Sequence, residues 1–502
     1  MRSRDTLLLG SLAVVAIVGC GGPPERPVER ALAEGRESEA WALARAAVQA
    51  TPDSAATWRD VAHAALRTFR TPEGVEAAAK ACELAPEDWR ARLLAAELDQ
   101  RRFRNVAALA AAERATELAP DDVRPWIALG TLRFGGGMVG TAEPELAEVA
   151  FRRALERDPE SPRARFGLAK ALVLAGRDEE ARPLLDAILA ADHAKEAPAD
   201  AWYQRGLLRM RARDHEGAVD DFRRAVAMEP GDPAAWFNLG RLLPRLGEPD
   251  EAKAALARGN AARERSERIH SLEVSWHSNA DTGSGLTLVS AWRDAGRLGE
   301  ARRLAETLVE DRPQVPPVHL ELAETLLQLG DPAGAERAAQ RALDLNAQNL
   351  RARWVIARAR VAAGDPAGAL EVLGEENVGS EDVRIASVVG AASTALGRPD
   401  EGERLLSLAL ARAPERTDWL IDRARARIAK GAGESAEGDL RAALRADPES
   451  VEAMRLLADR LESNARADEA ADLRRRADRT EQEHEAARAA REREWRHDFL
   501  SH

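Results

Sequence analysis

Trp202, Gly206, Ala218, Phe222, Ala225 and Pro230 stand at offsets 0, 4, 16, 20, 23 and 28 of one short stretch, WYQRGLLRMRARDHEGAVDDFRRAVAMEP. The pattern returns along most of the chain. Trp236 follows Pro230 by six residues, and Gly240, Ala252, Leu256 and Gly259 fall at the matching places. Trp58 lies 28 residues before Pro86, Pro86 lies 34 before Pro120, and Trp126 with Gly130 reopens the pattern. Pro414 and Pro448 are again 34 apart. Each copy reads as two amphipathic helices joined by a short turn, and the closing proline cannot continue the second helix. One such hairpin leaves an apolar face uncovered, so neighbouring copies must stack to make the core. A chain of 502 residues can then fold without a single compact centre.

The residue types fit that geometry. Tryptophan at the first offset fills the space between the two helices, and glycine and alanine at the close-contact offsets let backbones approach. Apolar residues are 45% of the chain but aromatic ones only 4%, which favours helices packed through small side chains over a β architecture. A 34-residue period with this pattern resembles the tetratricopeptide repeat (TPR) family. The resemblance covers nearly the whole mature chain. It implies an all-α fold, a right-handed superhelical α-solenoid of about 12 TPR-type helical hairpins.

Residues 28–268 form an N-terminal block of repeats and 282–480 a C-terminal block. Between them the period fails: a closing proline is due near 264 and comes only at Pro313. The insertion lies in Arg263–Gly285, and 269–281 reads as an irregular joint, either a hinge or one longer helix with a loop. His270 and His277 within it read as surface-loop residues, too far apart on a helix to share one metal ion. The charged tail, 481–502, reads as a capping helix that shields the last apolar face, or as a partner-binding helix through Trp495 and Phe499.

Residues 1–19 carry Arg2 and Arg4, then the apolar run Leu7–Val18, too short to span a bilayer. The run ends Ile17-Val18-Gly19-Cys20, which resembles the bacterial lipobox. That resemblance implies a signal peptide removed before Cys20, whose thiol then carries a diacylglycerol. Gly21 after the cysteine implies delivery to the periplasmic face of the outer membrane, if the cell is Gram-negative. Residues 20–27 are a short proline-rich tether of roughly 20 Å, so the array starts near the membrane surface.

Several chemistries are absent from the sequence. The net charge of −12 with both signs mixed argues against bulk nucleic-acid binding. Two cysteines make no disulfide framework, and Cys82 reads as a small buried side chain. Gly135-Gly136-Gly137 lacks the Gly-Lys-Ser/Thr ending of a phosphate loop. No Gly-x-Ser-x-Gly elbow or His-Glu-x-x-His pair occurs. The chain therefore reads as a non-enzyme that needs no cofactor or metal and has no evident small-molecule substrate.

What remains is a binding surface. In the TPR family the inner groove is lined by the first helix of each repeat. Carried over, its central part is Phe166, Lys170, Tyr203, Leu207, Met210, Phe237, Asn238 and Arg241, an aromatic floor with cationic sides. In the second block the matching places hold Glu324, Arg358 and Arg425, among others. The Lys-Asn pattern of the two-carboxylate clamp is absent. The central groove is suited to an extended or helical peptide bearing apolar and acidic side chains. The same aromatics could instead stack as core between neighbouring first helices, and the sequence leaves both readings open. The resemblances together imply a membrane-anchored scaffold that binds envelope proteins or peptides. The alternative is an accessory scaffold for polysaccharide export or cell-wall synthesis. Replacing Cys20 by alanine is expected to yield unlipidated, soluble protein; partition of that variant with membranes in detergent phase separation would remove the anchor.

Overall fold

The computed structural model describes residues 27–134, 142–190, 197–374 and 382–496, with side chains through 482. The signal segment, Cys20, the tether up to Arg26 and the Gly135–Gly137 run lie outside the described residues. Within them are 26 α-helices stacked as hairpin pairs, one 3-10 turn at Leu243–Leu246, and no strand. The solenoid expected from the period is therefore present from Pro27 onward.

Each hairpin is started and stopped by the same few residues. The closing proline sits two places before the residue that caps the next helix: Pro86 before Asp88, Pro120 before Asp122, Pro159 before Ser161, Pro230 before Asp232 and Pro448 before Ser450. Those side chains accept from backbone N–H groups of the first turn, satisfying donors the helix cannot. Tryptophan at the first offset has a second task beyond filling space. Its indole donates to the carbonyl of the proline six residues earlier, at 2.6 Å for Trp58, 2.9 Å for Trp126 and 2.9 Å for Trp236. In two of the repeats without tryptophan another donor takes over: Arg165 Nε reaches Pro159 O at 2.9 Å, and His319 Nε2 reaches Pro313 O at 2.9 Å. In others, such as those with Leu420 and Met454 at this place, no such donor is present. The position is conditioned by hydrogen-bonding chemistry as well as by volume.

Across each hairpin a glycine faces a large side chain. A Cβ built on Gly206 would lie 2.7 Å from the Phe222 ring, and one on Gly240 would lie 2.7 Å from Leu256. Phe151 is held between two such glycines, Gly130 and Gly167, and is 1% exposed. Successive first helices, such as Ala55–Arg67 and Trp89–Arg101, pack on one another more closely than successive second helices do. The array therefore curves with its first helices on the inside. Cys82 is buried in the second helix Thr71–Leu84, where burial raises its thiol pKa.

Buried charge is placed with the same regularity. Asp221 is fully buried and takes both Arg205, at 2.8 and 2.9 Å, and Arg209, at 3.0 Å, from the helix before it. Asp439 takes Arg423 and Arg427 at the equivalent places. A buried carboxylate with two guanidinium partners fixes the register of the two helices more than it adds stability.

The broken period has a simple structural cause. Second helices such as Thr71–Leu84 have 14 residues, whereas Pro249–Asn279 has 31, a rod of about 46 Å. Most of the inserted stretch is thus continuous helix, ended by Ala280 in the left-handed region at φ 48° and followed by an Asp281 cap. His270 and His277 are on this helix and not in a surface loop, and His277 is buried. A second irregularity lies in the turns. The middle turn residue is a left-handed glycine in hairpins such as those at Gly176, Gly247 and Gly431, but Phe69 and Phe103 hold the same place at φ 58° and 57°. A bulky residue there costs about 1–2 kcal/mol.

Gly167→Ala is expected to destabilise the protein by about 1–3 kcal/mol through overpacking against Phe151, with a built Cβ only 2.2 Å from the ring. Phe151→Leu in the same chain should recover part of that loss. Denaturant midpoints of the single and double variants measure it, and an additive double variant would mean the two residues do not oppose each other.

Candidate partner-binding groove

The inner face of the first block is built from Ala55–Arg67, Trp89–Arg101, Val123–Leu132, Pro162–Leu174, Ala199–Arg211 and Pro233–Leu242. The eight side chains carried over from the repeat pattern lie on the last three of these. They do not share one environment. Phe166, Tyr203, Leu207 and Met210 are half-buried and pack against the core. Asn238 is buried and donates to Tyr203 Oη at 3.3 Å and to Ala234 O at 3.1 Å. Lys170 is neutralised by Asp200 at 2.7 Å and lies over the Phe134 ring. Only Phe237, 53% exposed, and Arg241 stand out into solvent.

Tyr203 is the centre of this arrangement. Its ring tilts against Phe222 at 5.8 Å. Burial, with Asp232 and Asp200 nearby, pushes its phenol up to about 12. Burial likewise raises Asp232, which caps the next first helix. Burial thus disfavours the charged forms of Tyr203 and Asp232 at this part of the floor.

Charge that is not compensated appears one step further along. Arg241 lies over the Phe237 ring, 5.6 Å from its centre, and has no carboxylate partner among the described residues. Among the described residues Arg245, in the 3-10 turn, meets His215 Nε2 at 3.3 Å and no carboxylate. The two arginines, with Met210, Arg211 and Leu242, border a hollow of about 190 Å³. Arg211 is itself paired with Asp178 at 2.6 Å. Arg245 was missed by sequence reasoning, because the period places it in a turn and not on the first helix. A larger cleft of about 500 Å³ lies beyond, between the turn at Gly231–Pro233, the long helix at Arg265 and Ile269, and the turn at Ala295–Arg297.

The second block is different. Glu324 is held by Arg293 at 3.0 Å and Arg351 at 2.6 Å. Arg358 reaches Asp418 and Asp422, and Arg425 is paired with Glu452. The charged positions carried over for this block, Glu324, Arg358 and Arg425, are each paired with an opposite charge from elsewhere in the block. No group of three His, Cys, Asp or Glu side chains placed to hold a metal occurs among the described residues.

The profile of the tetratricopeptide repeat family matches residues 142–201, 209–274, 293–341 and 326–375. These segments are tetratricopeptide repeats. The TPR array is also similar to two proteins named cellulose synthase operon protein C. The one from Xanthomonas axonopodis pv. citri is 32% identical over 136 residues, 26% of this chain and 9% of that protein. The one from Pseudomonas fluorescens is 31% identical over 173 residues, 32% of this chain and 12% of that protein. The aligned parts are therefore a small share of those relatives. Similar solved structures include yeast Tom70 (14% identical, 88% of this chain and 96% of that chain, TM-score 0.29) and Pseudomonas aeruginosa pilF (14% identical, 38% and 87%, TM-score 0.30). No helix among the described residues is long and apolar enough to cross a membrane.

The chain holds a single tyrosine, so an absorbance titration reads Tyr203 alone. Its folded pKa is raised, so the neutral form is favoured in the fold. The stability this contributes is complete below pH 10 and is lost as pH rises from 10 towards 12. A midpoint near 12 that falls to about 10 in denaturant is expected; a native midpoint near 10 would place the ring in open solvent.

Proposed function

We propose that this chain is a membrane-anchored TPR scaffold, held by lipid on Cys20, that binds envelope proteins through peptide-like segments laid on its inner face during assembly of a cell-envelope complex. In a Gram-negative cell its site is the periplasmic face of the outer membrane. The observation that carries the reading is the exposed Phe237 beside Arg241 and Arg245, two cations that no carboxylate of the described chain answers. An apolar residue flanked by an acidic one complements that group. Phe166, Lys170, Tyr203, Leu207, Met210 and Asn238 form the shaped floor that leads up to it.

A second reading has one observation in its favour. Two local relatives are named for a cellulose synthase operon, which supports a scaffold serving polysaccharide synthesis or export. The partner would then be a synthase or export component.

The two readings separate by what is captured. Crosslinking in native envelopes followed by pull-down is expected to give a small set of proteins, and Arg241→Ala with Arg245→Ala should lower their capture at least tenfold at unchanged helicity. Polysaccharide-synthesis or export proteins in that set favour the second reading. Undiminished capture by the double variant would move the site elsewhere on the array, and no specific protein captured by the wild type would sink the scaffold reading.

A further inference from the structure

Phe69 and Phe103 occupy a left-handed turn position that most other hairpins give to glycine, Arg213 and Ala465 being the other exceptions, and both rings make contacts far away in sequence. Phe69 lies 5.3 Å from the Trp292 ring and 6.5 Å from His277, and Phe103 meets His270 edge-on at 4.8 Å. The backbone around Phe69 is engaged as well. Trp276 Nε1 donates to Phe69 O at 3.3 Å, and Thr307 Oγ1 donates to Thr68 O at 2.8 Å. Thr71 Oγ1 shares a hydrogen bond of 2.8 Å with His277 Nδ1. Arg70, 3% exposed, reaches Glu310 at 2.8 Å and Asp311 at 2.9 Å. Glu37 lies between Arg67 and Arg303, at 3.5 and 3.7 Å.

These contacts join the turns of two early hairpins to the long helix and to the hairpin Thr282–Asp294/Leu298–Asp311. Nothing in a plain solenoid requires them, because each repeat needs only its neighbours. The inserted length of Pro249–Asn279 is what supplies Ile269, His270, Trp276 and His277 at this meeting. The surface is rich in hydrogen bonds and ion pairs, as in interfaces between separately folded units. A left-handed phenylalanine is not needed by the turn, which takes glycine, arginine or alanine elsewhere, and both phenylalanine rings are engaged at this docking. Burial pushes His277 down to about 3, with Arg101 adding to the shift, so a neutral ring meets Thr71 and Phe69.

We propose that Thr68–Thr71 and Phe103 form a latch that closes one turn of the superhelix onto the long helix, and that this latch releases as a unit while the hairpins stay folded. The closed form sets the bore of the first-block groove, which lies on the chain between the two halves of the latch. The inference does not depend on what the groove binds.

The test uses Phe69→Gly with Phe103→Gly, a change that suits the turn backbone and removes only the docked rings, and independently Arg70→Glu. Hydrogen exchange of the full chain should show protection falling at least tenfold together at 67–71, 270–277 and 304–311. Hairpins such as Ala199–Met228 should keep theirs, and the radius of gyration by small-angle scattering should rise. Arg70→Glu combined with Glu310→Arg and Asp311→Arg should restore protection. Loss of protection across the whole array in both variants would make the contact ordinary core, and unchanged exchange and radius would make it incidental; either result overturns the latch.

Discussion

A TPR hairpin has an apolar face on each side of its own small core, and the rest of the structure follows from covering both. The tight approach inside a hairpin comes from glycine facing a large residue, as Gly206 faces Phe222 and Gly167 faces Phe151. That approach leaves little room for adjustment, because packed interiors are as dense as organic crystals. Stacking then has one allowed geometry per step. Curvature is the sum of those steps, with first helices crowded on the inside. The inner face is therefore a product of core packing and not a separate invention.

The sequence made this much legible because the constraint is local and periodic. Offsets of tryptophan, glycine and proline mark hairpin boundaries, and the structure places helices between them. What tryptophan does was only half legible. Volume could be read from its size, but the bond to the proline carbonyl becomes clear only when Arg165 and His319 stand in as donors at the same place. The joint was legible as a failure of period, with a hinge and one longer helix both left open, and the structure takes the longer helix, 31 residues long. A polar stretch with mixed charge has no strong period of its own by which to choose. The docking of its histidines was not legible at all, because their partners are some 200 residues away. One signal did exist: bulky aromatic residues, Phe69 and Phe103, stand where most hairpins carry glycine.

The candidate groove was legible as a set of positions but not as a set of environments. Whether a lysine is available depends on what the next repeat places beside it. Lys170 meets Asp200 and is engaged within the chain, while Arg241, four residues after Phe237, meets no acid among the described residues. Equivalent offsets thus carry different chemistry. The same dependence turns the second block inward, where Glu324 is shared by Arg293 and Arg351. Such pairing is invisible to a reading made one repeat at a time.

The balance of charge across the inner face leads to one asymmetry. The chain as a whole is acidic by 12 units, so a cation without a partner is set against the general trend. Long-range attraction to a basic partner would act over the whole surface and is screened beyond about 8 Å at physiological salt. In the proposed reading, recognition of an acidic group at Arg241 and Arg245 would work at contact distance, beside an aromatic ring and a small hollow, where screening is weaker. An acidic segment would be repelled over most of the array and accepted at one place. That combination favours a partner chosen by local fit over one gathered by net charge.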